Sequence, residues 1–197
     1  MAVFPNLKKV FIHIPRTGGT SVSLALNTLD KALPEDFKHY DCRYYESKYD
    51  ILEYQRFAVV RNPYTRLISY YNYHDNVDMN VVAELNKYPN IKDRFLKYLE
   101  LNLTTVPFTY GRIKPLLLYK RQIEYVDNNT TLLRFESLND DLIMYLNHEF
   151  ELPHWKGYDS KEKYTMEDLF STDAIQIINE YFAIDFRELN YDKRCNI

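Results

Sequence analysis

Val10-Phe11-Ile12-His13-Ile14-Pro15-Arg16-Thr17-Gly18-Gly19-Thr20-Ser21 is the stretch whose reading decides the fold. Residues 10–14 are a short apolar, β-rich run that fits a buried parallel strand. The chain has four glycines in 197 residues, and two of them stand together at Gly18-Gly19. Glycine lets the backbone take positive φ and approach a ligand closely, which suits a turn from strand to helix. A helix starting at Thr20 carries Val22, Ala25, Leu26 and Leu29 on one face and ends near Asp30-Lys31, before Pro34. Its first N–H groups and dipole point back at the turn, a site for an anion. Arg16 and the hydroxyls of Thr17, Thr20 and Ser21 add donors to the same spot.

Working outward, Arg56-Phe57-Ala58-Val59-Val60 repeats the buried-strand signature and runs into Arg61-Asn62-Pro63. Asn62 is a good N-cap and Pro63 a good first helical residue, so a helix carrying Arg66, Leu67, Ser69 and Tyr70 is expected to start there. This second strand-to-helix junction also has cationic side chains at its mouth. Between the two junctions, Asp36 to Tyr40 reads as a strand or extended segment, and Tyr44 to Tyr54 as weakly helical.

Farther on, Ile91, Phe95, Tyr98 and Leu99 share a helical face, and Leu103 to Thr109 reads as an irregular connection. We expect an insertion over 74–110 that shapes the acceptor side of a site. Leu116 to Val126 is open to helix or strand. Asp127-Asn128-Asn129 is a turn before a strand over Thr131–Phe135, and Asn139 is expected to cap a helix through Leu146. A polar stretch with Lys156, Lys161 and Lys163 follows Pro153. Ser171 or Thr172 then caps a final helix with Ile175, Ile178 and Phe182. Strands alternating with helices, without repeat or linker, predict one α/β domain over 1–197 with a mainly parallel sheet.

Composition narrows the function classes. With 46% hydrophobic and 27% charged residues the chain is an ordinary globular protein. A net charge of −3 argues against a general nucleic-acid binder. Cys42 and Cys195 match no metal or redox spacing, so neither a metal site nor a disulfide framework is expected. No apolar run reaches membrane-span length, and a cytosolic protein is expected. The 19 tyrosines read first as core filling and second as faces for stacking a sugar or a base.

The glycine loop is not a Walker A sequence, since no glycine stands at that motif's first position and no lysine follows Gly18-Gly19. The stretch Ile12 to Ser21 resembles the H-x-P-K-T-G-G-T-S loop of the carbohydrate-type sulfotransferases. Val60 to Tyr71 resembles their V-R-[ND]-P-x-x-R-[LY]-x-S segment, Arg134-Phe135-Glu136-Ser137-Leu138 their R-F-E-x-L, and Asp185-Phe186 with Tyr191 their C-terminal D-F-x-x-x-x-Y.

The resemblance implies a P-loop NTPase-like three-layer fold and transfer of a sulfuryl group from 3′-phosphoadenosine 5′-phosphosulfate to a hydroxyl or amine, on a carbohydrate in the first instance. It implies that Arg16, Thr17, Gly18, Gly19, Thr20 and Ser21 hold the 5′-phosphosulfate, that Arg61 and Ser69 bind the 3′-phosphate, and that no metal is needed. Arg16 stands where the family usually has lysine, so it is the catalytic cation by position. Lys38-His39 lies about where relatives carry a histidine, which makes His39 the candidate general base, with Glu35 and Asp36 in reserve. Lys163, with Lys161, is a candidate to close over the donor's phosphates, the plain alternative being a solvated loop. His13 reads as core filling or as a brace for the loop. Relatives in animals are usually anchored in the Golgi, and the lack of an anchor here suggests a bacterial or viral source. Rival readings are a kinase on the same core and a module that binds the donor or its bisphosphate product without turning it over.

Overall fold

The computed structural model describes residues 2–32, 46–47, 50–74, 83–104, 120–149, 152–153 and 164–195. They fall into two compact units, Met1–Arg61 with Gln122–Trp155, and Asn62–Arg121 with Lys156–Ile197.

The first unit is built on a four-stranded sheet in the order β1 (Ala2–Phe4), β2 (Lys9–Ile12), β3 (Gln55–Val60) and β4 (Thr130–Arg134). β1 runs antiparallel to β2, whereas β2, β3 and β4 are parallel. Helices α1 (Gly19–Leu29) and α4 (Leu138–Leu146) belong to this unit. The expectation of a mainly parallel sheet with helices holds. Phe11 and Phe57 are register partners, as are Val59 and Leu133, and they share a core with Val22 and Leu26 of α1 and Leu138 and Leu142 of α4. On the opposite parity Val10, Ile12, Ala58 and Val60 are buried too. Burial at both parities explains why β2 and β3 read as continuous apolar runs rather than alternating ones. β4 exposes Thr131 and Leu132, as an edge strand can.

Two details of this unit depart from the sequence reading. The strand expected over 10–14 spans Lys9–Ile12, so His13 and Ile14 lie in the loop beyond it. β1 has no counterpart among the sequence expectations, because three apolar residues carry no periodic signal. It is secured through Asp30, at the end of α1, whose carboxylate accepts from the Asn6 N–H (2.8 Å), the Asn6 Nδ2 (2.8 Å) and the Leu7 N–H (3.0 Å). Buried Arg56 is held between Glu46 (2.6 Å) and Asp127 (2.5 Å). The Asp127 turn is as expected, with Thr130 N–H donating to its carbonyl at 3.1 Å.

Asn139 is not the cap of α4. The N-cap is Ser137, and Asn139 sits inside the first turn, its Oδ1 accepting from the Leu152 N–H at 3.3 Å. Asp141 does the bracing there, accepting from Arg134 N–H (2.8 Å) and Ser137 Oγ (2.9 Å).

The second unit is helical: α2 (Pro63–His74), α3 (Ile91–Leu99), α5 (Met166–Leu169), α6 (Thr172–Tyr181) and α7 (Ala183–Glu188). Asn62 caps α2 as expected, its Oδ1 accepting from the Tyr64 N–H at 3.0 Å. Tyr64, Tyr70, Tyr71 and Tyr98 are buried in one core with Phe95, Phe170, Ile178 and Phe186. Tyr71 meets Phe95 edge-on at 5.1 Å, and Phe95 stacks on Phe170 at 5.3 Å. For these tyrosines core filling is the job. Arg66 is buried, donating to the Lys120 carbonyl and the Tyr70 hydroxyl, both at 3.2 Å, so it braces this unit. The expected face of α3 is buried at Phe95, Tyr98 and Leu99. Ser171, not Thr172, caps α6. The final helix expected from there breaks at Phe182 into α6 and α7. Gln122–Tyr125 in the first unit is a short 3-10 turn, which settles part of the ambiguous 116–126 segment.

The segment 36–40, most of 44–49, residues 105–119 and the lysine stretch 156–163 lie outside the described residues.

Two stability outcomes follow from these braces. Replacing Asp30 with alanine leaves three donors unpaired and is expected to cost about 2–4 kcal/mol. Urea melts would measure the loss, and hydrogen exchange should show it first at Asn6 and Leu7. Burial pushes the Asp127 carboxyl up, but hydrogen bonds from Thr130 and Asn129 and the Arg56 charge outweigh it and hold the group below the usual carboxylate range. A lowered folded pKa gives stability that is complete above the unfolded value and lost as pH falls through the folded one. The acid limb of a stability–pH curve should therefore be shallower in Asp127→Asn than in the wild type, below about pH 4.

Candidate functional site

The loop between β2 and α1 has an unusual backbone. Arg16 has φ +67° and Gly18 has φ +82°, while Thr17 between them keeps a negative φ. Such alternation turns successive N–H groups toward one concavity, the arrangement called a nest. A non-glycine residue held in the left-handed region costs about 1–2 kcal/mol, which the surroundings must offset. Thr17 supplies part of that hold: its buried hydroxyl donates to the Ile14 carbonyl at 2.8 Å. The Thr17 hydroxyl therefore braces the loop, and what this residue offers a ligand is its N–H.

The two glycines are required for different reasons. Gly18 needs its positive φ, and a Cβ there would also meet Phe135 and Leu138 side chains at 3.1 Å. Gly19 needs space. A Cβ on it would lie 2.1 Å from the Cδ2 of His13, whose ring occupies the space beside the helix start and stacks on Phe11 at 5.7 Å. His13 thus acts as a brace for the loop. With Gly18 at the N-cap, α1 begins without a side-chain cap and without an acidic residue in its first turn. A helix start of that kind suits an anion. Thr20 and Ser21, half-buried, lie in that first turn.

Arg61 follows β3 immediately and is brought to the loop in the same unit. One guanidinium nitrogen, Nη1, donates to the Arg16 carbonyl at 3.3 Å, and the guanidinium lies 4.0 Å from the centre of the Phe135 ring. The backbone of Arg61 is held on both sides by one side chain. Its N–H donates to Gln122 Oε1 (2.9 Å), and its carbonyl accepts from Gln122 Nε2 (2.8 Å). Gln122 is fully buried. A side-chain amide here does for Arg61 what another strand would do.

Of the residues singled out in the sequence, Arg16, Thr17, Gly18, Gly19, Thr20, Ser21 and Arg61 are gathered in the first unit. Ser69 lies on α2 in the second unit, half-buried. His39 and Lys163 lie outside the described residues. Two residues at the site carried no role in the sequence reading, Gln122 and Phe135. Phe135 sat inside the R-F-E-x-L match without a task, and nothing around Gln122 marks it. Among the described residues no group of three or more His, Cys, Asp or Glu is arranged to hold a metal ion.

Chemically, the loop has the makings of an anion site: alternating φ signs, a helix start without a side-chain cap, and nearby a guanidinium whose flat face is covered by an aromatic ring. Planar forked donors beside a nest match phosphate or sulfate oxygens. No helix among the described residues is long and apolar enough to cross a membrane.

No curated protein and no solved structure matches the chain. The model of the sulfotransferase family matches residues 1–192, a span that reaches through the first unit and nearly all of the second and includes the glycine loop and all four sequence segments that resemble that family. By that match the chain belongs to the sulfotransferase family.

Proposed function

We propose that the protein transfers a sulfuryl group from 3′-phosphoadenosine 5′-phosphosulfate to a hydroxyl or amine of an acceptor, in the first instance a carbohydrate. The reading takes 1–197 as one sulfotransferase-like domain with a P-loop NTPase-like three-layer core. Membership of the family supports sulfotransfer in general. The observation that carries the choice of donor is the contact of Arg61 with the Arg16 carbonyl. It joins one anion cradle to a second cation, as a ligand with two separate phosphate groups requires.

In this reading Arg16 and the N–H groups of Thr17, Gly18, Gly19 and Thr20, with the Ser21 hydroxyl, hold the 5′-phosphosulfate. Arg61 and Ser69 take the 3′-phosphate, and Lys163 closes over the phosphates. The donor supplies a sulfuryl group whose bond to the phosphate oxygen breaks as the bond to the acceptor oxygen or nitrogen forms. His39 takes the acceptor's proton, and Arg16 neutralises the charge left on the phosphate. Positioning and charge neutralisation carry most of the rate in such transfers.

Arginine at position 16 favours a second reading, a module that binds the donor or its bisphosphate product without turnover. A guanidinium spreads its charge over a plane and reaches a single bridging oxygen less directly than an ammonium. A kinase reading has no Walker lysine and gives Arg61 no task.

Calorimetry separates the classes of ligand. Adenosine 3′,5′-bisphosphate should bind at least roughly tenfold more tightly than AMP or ATP, the worth of one charge-assisted phosphate contact. Arg61→Ala should abolish that margin, and equal affinities in the wild type would sink the donor assignment. Turnover with radiolabelled donor against a panel of sugar, phenol and lipid hydroxyls separates enzyme from binding module. Arg16→Lys is expected to raise turnover, and His39→Ala to remove it while leaving donor affinity intact. Full turnover in His39→Ala would show that another group takes the proton.

A further inference from the structure

We infer that Gln122 and Phe135 are positioning residues for Arg61, presetting its guanidinium for the 3′-phosphate of the donor. The inference rests on the donor assignment above for the identity of the ligand, and on geometry for the rest. An arginine at the end of a strand has several rotatable bonds, and ordering it on binding costs free energy that a preset side chain does not lose again. Here the ordering is built in at two levels. Gln122, buried and paired to both the N–H and the carbonyl of Arg61, fixes the backbone from which the side chain leaves. Phe135, 4.0 Å below the guanidinium, fixes the plane in which its N–H groups fan out.

Covering one face of the guanidinium directs hydrogen bonding to its edge, where Nη1 donates to the Arg16 carbonyl. The same Phe135 ring lies within 3.1 Å of where a Cβ on Gly18 would stand. One aromatic side chain therefore lines the space beside Gly18 and also packs on the arginine. Its role is to hold the two at a fixed spacing, which is a condition for reading two phosphates on one nucleotide.

The test uses the full chain and the variants Phe135→Leu, Phe135→Tyr, Gln122→Met and Gln122→Glu, each checked for folding by thermal melting. Calorimetry with adenosine 3′,5′-bisphosphate and with AMP is the first readout. Phe135→Leu should lose roughly 3- to 10-fold in bisphosphate affinity, the range of a lost cation–π contact, with AMP affinity unchanged. Phe135→Tyr, which keeps the ring, should restore it. Gln122→Met should show the same selective loss, and in an Arg61→Ala background neither substitution should have any further effect.

Equal losses for both nucleotides, or losses that persist without Arg61, would overturn the inference in favour of plain packing. The second readout needs no nucleotide. Nitrogen-15 relaxation at the Arg61 Nε should report a rigid side chain in the wild type and in Phe135→Tyr, and a mobile one in Phe135→Leu. Unchanged mobility in Phe135→Leu would overturn the positioning role. Should Gln122→Met fail to fold, Gln122→Glu keeps the acceptor for the Arg61 N–H, loses the donor to its carbonyl, and is read in the same two ways. A wild type without bisphosphate preference would refute the donor assignment, and relaxation would still decide the positioning.

Discussion

The structure around the site depends on one constraint, the parallel register of β2, β3 and β4. Ile12 pairs with Ala58, and Val60 pairs with Arg134. Parallel strands end at the same edge of a sheet, and ligands in open α/β sheets bind outside those carboxyl ends. The residues just past each end are therefore neighbours before any side chain is chosen. The loop from His13 to Gly18 leaves β2, Arg61 leaves β3 and Phe135 leaves β4. Their contacts, Arg61 to the Arg16 carbonyl and Arg61 over Phe135, follow from that register. A one-residue slip of β4 would turn its alternating side chains to the other face and take Phe135 away from Arg61.

Register also explains what the sequence revealed and what it did not. β2 and β3 are legible because burial on both faces writes itself as an unbroken apolar run. The start of α1 is legible because two adjacent glycines are rare in a chain that has four. Asn62-Pro63 announces α2 because its cap chemistry is local. Each of these signals lies within a few residues of the feature it specifies. Gln122 shows the opposite case. Arg61 is 61 positions away, and the two bonds that tie Gln122 to it are to backbone atoms, which carry no residue identity. A glutamine that replaces a strand leaves no pattern. β1 is the same problem in smaller form, three residues placed by pairing with β2 and by a turn that the Asp30 carboxylate holds at Asn6 and Leu7. The N-cap of α4 differs from the sequence expectation for a related reason. Asn139 has the right chemistry for a cap, but Ser137 and Asp141 serve the turn out of β4, and the helix starts earlier than the asparagine.

A glycine-rich loop invites a ligand as its cause, but both glycines here have local causes. Gly19 is explained by His13, whose ring occupies the space a side chain would need. Gly18 is explained by its φ and by Phe135 and Leu138. Neither needs an anion to account for it. What does point to an anion is Arg16, a long cationic residue held in a left-handed backbone where glycine or asparagine would be easier. Strain of that kind persists when the surroundings impose it, and here the Thr17 hydroxyl and the Arg61 guanidinium do so on either side.

That arrangement separates the backbone of position 16 from its side chain. The carbonyl is engaged by Arg61 and the turn is closed by the Thr17 hydroxyl on the Ile14 carbonyl, and neither contact uses the side chain of position 16. The shape of the cradle is thus set independently of whether arginine or lysine stands there. Lysine and arginine bear the same left-handed cost, since both carry an unbranched Cβ. The exchange between them therefore leaves the loop's form and its N–H donors as they are, and changes only how positive charge is delivered: from a plane with fixed forks, or from a compact ammonium that can follow a single oxygen. In a transfer where charge grows on one bridging oxygen, that difference falls on the transition state more than on the bound ground state. Under the proposed transfer, binding and chemistry at position 16 are tuned by separate atoms of one residue.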